Sequence, residues 1–453
     1  MGAVAFTRDD FGDKFIRDYC EVFDNHSVNN RLYGIVALHV VIGQALKNNV
    51  FYSIGRRKID PRVHMFLIKP QGTGKGAGYG FCIRMAEKLG QLFVPMTDST
   101  DGGLAGSKKY DPSTKQDIII DGVLKDADIV GMEEASAIID FTSEFSKKNL
   151  TYMQITMNPL EDDSCNINRN LVGTTINFKP HASFLFMSYP PDKIAEKIVK
   201  TGFMDRMILI FEDVTLADRL VTLRKIMEKS NQTKEEKLEL KKKEKNVLDR
   251  LEIIVKKNQK STIDFSVEGK INDAILQCID EMSMMILDAS PKAREKLEHF
   301  ITRLYDTLVK LSIHHALIDL RTHLQIKDVL YARMTYLPIW RNLIISIESL
   351  LIISPEERYR KKHIETAAIK IYRTMKKNNY HMIGEYARRR TIVKKMQPML
   401  DNCSRETADR ALLKLEKVPK MYGNFSKVSQ YEKGKIFKRK YKGDVAYLKL
   451  INE

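Results

Sequence analysis

Residues 63–80, VHMFLIKPQGTGKGAGYG, decide how this chain is read. Residues 63–69 alternate and then run apolar, the pattern of a strand buried in a parallel sheet. Glycines 72, 74, 76, 78 and 80, Pro70 and Lys75 follow, and FCIRMAEKLGQL then carries apolar residues at helical spacing. Strand, glycine-rich turn, lysine and helix form the context of a phosphate-binding loop. Glycines let backbone N–H groups converge on a polyphosphate, and the helix amino terminus adds its positive end. On this reading Gly72, Thr73, Gly74, Gly76 and Ala77 wrap the phosphates, and the Lys75 ammonium reaches the β- and γ-phosphates. Two positions depart from G-x-x-x-x-G-K-[ST]. Lys69 stands at the first glycine, and Gly76 stands where a Ser or Thr hydroxyl normally ligates Mg²⁺.

Further strands carry the other groups such a site needs. IVGM (129–132) is a short apolar strand ending in Glu133 and Glu134. After such a strand the first acid is expected to support Mg²⁺ and the second to polarise the attacking water. Glu133 is one methylene longer than the usual Asp. The run HASFLFMSYPP (181–191) is a third buried strand that ends in Ser188, where a group that positions the attacking water would sit. Arg206 stands just before a fourth, MILIF (207–211).

Composition places the chain among globular proteins, with 453 residues, 43% hydrophobic and 29% charged. No apolar run reaches the roughly 18 residues of a membrane span, so no membrane partner is expected. Cys20, Cys82, Cys165, Cys278 and Cys403 are scattered singly, without zinc or disulfide spacing, which fits a reducing cytoplasm. The net charge of +17 is concentrated. Residues 356–453 carry 26 Lys and Arg against 11 Asp and Glu, a net +15. That is the electrostatic footprint of a polyanion binder. Residues 217–260 read as a charged helical hairpin turning near Asn231, and 267–350 as three or four amphipathic helices. His314 and His315 read as packed or surface histidines rather than metal ligands, and Trp340 as packing.

The set GTGKG, IVGMEEAS, FLFMSYPP and GFMDRMI, in that order, resembles the AAA+ core of minichromosome-maintenance-like replicative helicases. It is closer still to the primase-helicase-type ATPases of phages, plasmids and mobile elements. NRNLVGTTINFKPHASFLFMSYP resembles that family's β-hairpin ahead of the sensor strand, which points into a central channel and grips DNA. The resemblance implies Arg169 and Lys179 as single-strand contacts and Arg206 as a finger reaching a neighbouring subunit's site. It also implies Arg303, with Arg294 as rival, as the arginine of a helical lid that senses phosphate. Departures are Asp205-Arg206-Met207 for the family's S-R-F, and Ser188 for Asn. Residues 361–453 resemble a winged helix, with helices at 367–377 and 391–400 and a Ser404-capped recognition helix at 403–418. Arg405, Arg410 and Lys414 would meet duplex DNA.

The expected architecture is α/β. A helical segment (1–62) precedes an AAA+ P-loop NTPase core (63–215), a helical lid (216–355) and a basic C-terminal winged-helix domain (356–453). The expected function is that of a cytoplasmic, ATP- and Mg²⁺-dependent DNA helicase or translocase, a homo-oligomer in a hexameric ring. Two other readings fit the same residues. One is an ATP-gated origin-binding or loading factor that does not unwind DNA. The other is a DNA-binding scaffold whose nucleotide site has decayed, for which Lys69, Gly76 and Glu133 speak.

Overall fold

The computed structural model describes residues 6–27, 31–70, 75–96, 100–111, 113, 116–135, 144–171, 174–190, 202–212, 216–351, 386–388, 424–427 and 447–451. The chain divides into two compact units, Met1–Ile352 and Ile353–Glu453.

In chain order, the first unit contains α1 (Asp13–His26), α2 (Arg31–Ala45), β1 (Val50–Ile54), β2 (Arg57–Ile59), β3 (Met65–Ile68), α3 (Lys75–Lys88) and β4 (Phe93–Met96). Then come α4 (Asp101–Ala105), β5 (Ser107–Asp111), β6 (Gln116–Ile120), α5 (Val123–Asp126), β7 (Ile129–Met132), α6 (Glu144–Thr156), β8 (Ile167–Leu171) and β9 (Thr174–Phe178). β10 (Ser183–Ser188), β11 (Ile208–Phe211), α7 (Leu216–Ser230), α8 (Lys234–Asn258), β12 (Ile263–Phe265), α9 (Lys270–Leu287), α10 (Pro291–Ile318) and α11 (Ile326–Leu351) complete it.

The protein is thus mixed α/β, centred on a parallel five-stranded sheet in the order β11-β3-β10-β7-β4. The apolar runs in β3, β7, β10 and β11 are buried at every residue, because helices cover both faces of a parallel sheet. Pro95, which cannot donate to a ladder, is confined to the edge strand β4. The register pairs Ser188 and Phe211 with Ile68, and Phe186 with Met132, so the carboxyl ends of these strands lie level.

α2 is apolar all round, which requires burial on all sides. It packs against β3, β10 and β11 and beneath α10 and α11. α3 approaches α2 closely through Gly78, where a Cβ would meet Tyr33 Cε1 at 2.5 Å. The basic stretch RRKIDP (56–61), whose sequence reads as a turn, is not one throughout, since the turn is at Gly55-Arg56. Gly55 takes the positive φ that tight hairpins favour, and Arg57–Ile59 returns as β2 along β1.

Residues 216–258 form the expected helical hairpin, with Thr233 capping α8 through a reciprocal capping box with Glu236. The carboxyl half of α8 is no solvated arm, because it buries Val247, Leu251, Ile254 and Val255 and packs on α1. The expected amphipathic helices of 267–350 are three, α9 to α11. The Trp340 indole N–H donates to the Met282 carbonyl at 2.9 Å, tying α11 to α9. Among the described residues, no helix is long and apolar enough to cross a membrane. The second unit contains a three-stranded antiparallel sheet, β13 (Tyr386–Arg388), β15 (Tyr447–Ile451) and β14 (Asn424–Lys427) in that order. The expected helices of 367–418, with Arg405, Arg410 and Lys414, lie outside the described residues.

His39 of α2 meets His314 and His315 of α10 in the core, with ring centroids 5.2 and 5.1 Å apart. All three rings are buried and pack against one another. Burial, then mutual repulsion, pushes His314 down to about 3 and His39 well below the usual histidine value. Burial pushes His315 down to about 4. In the unfolded chain they titrate near their ordinary value of about 6.5. Unfolding therefore takes up protons as pH falls below that value, and stability drops with pH until the folded-state values are reached. His314 and His315 are each expected to cost about 2 kcal/mol between pH 7 and pH 5, and His39 adds a loss in the same direction. Urea unfolding at the two pH values checks this, and His39→Leu should shrink the loss by about one histidine's share. An undiminished loss in that variant would assign the pH dependence elsewhere.

Candidate functional site

The sheet order prepares a crevice before any side chain is considered. The connection leaving β3 crosses β10 and β7 to reach β4, whereas the one leaving β10 crosses β3 in the opposite direction to reach β11. With right-handed crossovers, opposite directions put the two connections on opposite faces of the sheet. The neighbouring carboxyl ends of β3 and β10 are thus a topological switch point, where open α/β sheets bind ligands.

Lys75, the first residue of α3, sits there. Its Nζ donates to the Lys69 carbonyl at 2.8 Å and to the Ser188 carbonyl at 3.0 Å, bridging the two strand ends. The third N–H side faces the Tyr189 ring, with Nζ 3.8 Å from the centroid. Burial brings the ammonium down to about 8, against the pull of Glu134 and Glu133. A cation held by neutral carbonyls and a π-face, with two carboxylates near but not bonded, is poised for an anionic ligand.

Ser188 contributes differently from the expectation. It is fully buried, and its hydroxyl donates to the Tyr189 carbonyl at 2.9 Å, so its backbone oxygen is what engages Lys75. Tyr189, which the sequence reading passes over, links the two halves of the site. Its ring covers Lys75 and its hydroxyl donates to Glu134 Oε1 at 2.9 Å. Glu133 and Glu134 are both exposed at the end of β7. Two exposed carboxylates beside the lysine suit Mg²⁺, a hard cation that takes oxygen ligands. Gly76 and Ala77 are exposed in the first turn of α3, whereas Gly72, Thr73 and Gly74 lie outside the described residues.

Both departures from the loop pattern have partners. Lys69 is buried and pairs with Glu212, just past β11, so the ion pair joins the ends of β3 and β11. Burial pushes the Glu212 carboxyl up, and Lys69 opposes that shift. Gly76 faces Glu133, where a Cβ would come within 2.3 Å of Oε1.

Arg206 and Arg303 come together, but not beside Lys75. Arg206 ends a 3₁₀ turn immediately ahead of β11, at the amino-terminal end of the sheet. Four residues of strand, about 13 Å, separate that end from the carboxyl ends. Arg303 of α10 lies 3.8 Å from Asp205, and Arg206 lies 3.9 Å from it. Both arginines line a cavity of about 400 Å³ together with Arg57, Lys310, Asp205 and Asp306. Burial, then Arg303, lowers the Arg206 pKa. The rival, Arg294, donates to the Leu287 and Ala289 carbonyls and closes the end of α9.

β8 and β9 pair antiparallel, as the expected hairpin requires. Arg169 is engaged within the protein, donating to the Asp101 carbonyl and pairing with the Asp101 carboxylate at 3.1 Å. That contact ties the hairpin to α4. Lys179, past the end of β9, is exposed. A second hairpin, β5–β6, presents Lys109 and Tyr110 to solvent.

No protein-family model matches this chain, and no curated protein matches it.

The Lys69–Glu212 pair gives a direct expectation. Lys69→Gly restores the usual glycine but leaves the part-buried Glu212 carboxylate without this lysine. It should lower stability by about 3 kcal/mol, read as a shift in urea midpoint, and Lys69→Gly with Glu212→Gln should recover part of the loss. Unchanged stability in the single variant would show that the ion pair does not join the strands.

Proposed function

We propose that the first unit is an AAA+ ATPase core and that the protein uses ATP to act on DNA. The observation that carries the reading is the placement of the Lys75 ammonium across the carboxyl ends of β3 and β10, with Glu133 and Glu134 at the end of the next strand. In this reading the phosphates of ATP approach Lys75 on the side the Tyr189 ring covers. Glu134 orients the water that attacks the γ-phosphorus and takes up its proton. Glu133 would hold Mg²⁺, which when bound would neutralise charge on the phosphate oxygens.

Arg206 and Arg303 lie about one strand length from Lys75 in the same subunit, so both belong to the site of a neighbour. A homo-oligomeric ring with head-to-tail interfaces would place one subunit's arginine-lined cavity against the next subunit's lysine. There the guanidinium groups would stabilise charge developing on the transferred phosphoryl.

We assign the basic second unit to DNA. A winged helix needs a strand ahead of its second helix and a two-stranded wing after its recognition helix. Strands at Tyr386–Arg388, Asn424–Lys427 and Tyr447–Ile451, with β15 between the other two, support that assignment. The net +15 supports it independently. One observation favours a second reading, an ATP-gated loading or origin-binding factor. Arg169, the residue expected to grip a strand, is held by Asp101.

Subunit mixing tests the shared site. Arg206→Ala and Glu134→Gln proteins should each be nearly inactive in ATP hydrolysis. Mixed at equal amounts, about a quarter of the head-to-tail interfaces receive both intact groups, so activity should return to as much as that fraction of the parent rate. No recovery in mixtures shown to co-assemble would rule out a site shared between subunits.

A further inference from the structure

We propose that Glu133 takes over the role of the missing hydroxyl at position 76, as a direct oxygen ligand of the nucleotide's divalent cation. On this account Gly76 is present because any side chain there would displace that carboxylate. The inference rests on the nucleotide-binding reading above and deepens it.

An ideal Cβ at Gly76 would lie 2.3 Å from Glu133 Oε1 and 3.6 Å from its Cδ. No side chain shares that space with the carboxylate in its present position. A seryl oxygen stands one bond from its own Cβ, so Oε1 lies within reach of the volume a hydroxyl there would use. An aspartate at 133, one methylene shorter, would leave that volume open. The two departures are therefore one exchange. A hydroxyl on the loop helix with a short acid on the neighbouring strand becomes a glycine with a long acid.

The exchange changes the chemistry of the site. A neutral hydroxyl ligand becomes an anionic carboxylate, which a hard divalent cation prefers. Without the cation, that same negative charge stands at the first turn of α3, where it opposes incoming phosphates. Nucleotide affinity should then depend on the metal more steeply than a hydroxyl ligand would allow.

The test is equilibrium binding of a fluorescent ATP analogue to the full chain, in Mg²⁺ and in EDTA, with no turnover required. In the parent protein Mg²⁺ should tighten binding by tenfold or more, within the roughly 5- to 150-fold range of ordinary coupling between sites. Gly76→Ser, which restores the usual loop sequence, should abolish most of that metal effect. Glu133→Asp should do the same. The double variant Gly76→Ser with Glu133→Asp, which has the hydroxyl ligand and the short acid, should regain a metal effect smaller than the parent's. Glu133→Asp alters an exposed side chain, so its result stands even if Gly76→Ser disturbs folding. A metal effect that survives or grows in Gly76→Ser, or is not regained in the double variant, would overturn the inference. Parent protein that binds nucleotide equally with and without Mg²⁺ would overturn it while leaving the nucleotide reading intact. Parent protein that binds nucleotide under neither condition would overturn both.

Discussion

One ammonium group shared between two strand ends organises this protein. Lys75 reaches the Lys69 carbonyl and the Ser188 carbonyl at once only because β3 and β10 are parallel neighbours with Ile68 opposite Ser188. That register depends on burying both faces of β3 and β10, and the all-apolar α2 supplies part of the cover. In water a lysine would keep its own hydration shell. Here burial strips it and lowers the pKa to about 8. The carbonyls, the Tyr189 ring and the nearby acids offset part of that cost.

The two positions that depart from the linear loop pattern each face an acid in space. Lys69 cannot serve as a loop glycine, but its charge is met by Glu212 across the neighbouring strand. Gly76 offers no hydroxyl, but Glu133 extends into the room it leaves. Both compensating acids lie at carboxyl ends of strands, and both are longer than aspartate. The scaffold reading drew its support from Lys69, Gly76 and Glu133. Lys69 has an ion-pair partner in Glu212, and Gly76 and Glu133 face each other.

Much of this was legible in the sequence, for identifiable reasons. Strands buried on both faces leave continuous apolar runs, so β3, β7, β10 and β11 announce themselves at 65–68, 129–132, 183–188 and 208–211. Motif spacing brought Lys75, Glu133 and Glu134 to one end of the sheet. Other features depend on tertiary contacts that no local pattern encodes. Tyr189 follows a buried strand, where an aromatic reads as packing, and its bond to Glu134 spans 55 residues. Arg206 reads as a finger only by resemblance. That Arg303 joins it beside Asp205, rather than approaching Lys75, follows from where α10 crosses the amino end of β11. Arg169 reads as free for DNA because Asp101, its partner, lies 68 residues earlier.

The account stands or falls on coupling between the lysine site and the basic unit. The most direct measurement is the rate of ATP hydrolysis by the purified full chain, with and without single-stranded and duplex DNA, at low and moderate salt. The account predicts hydrolysis that DNA accelerates, with the acceleration weakening as salt rises, because phosphate contacts are lost with counterion competition. Hydrolysis indifferent to DNA, or no hydrolysis at any DNA concentration, would contradict it.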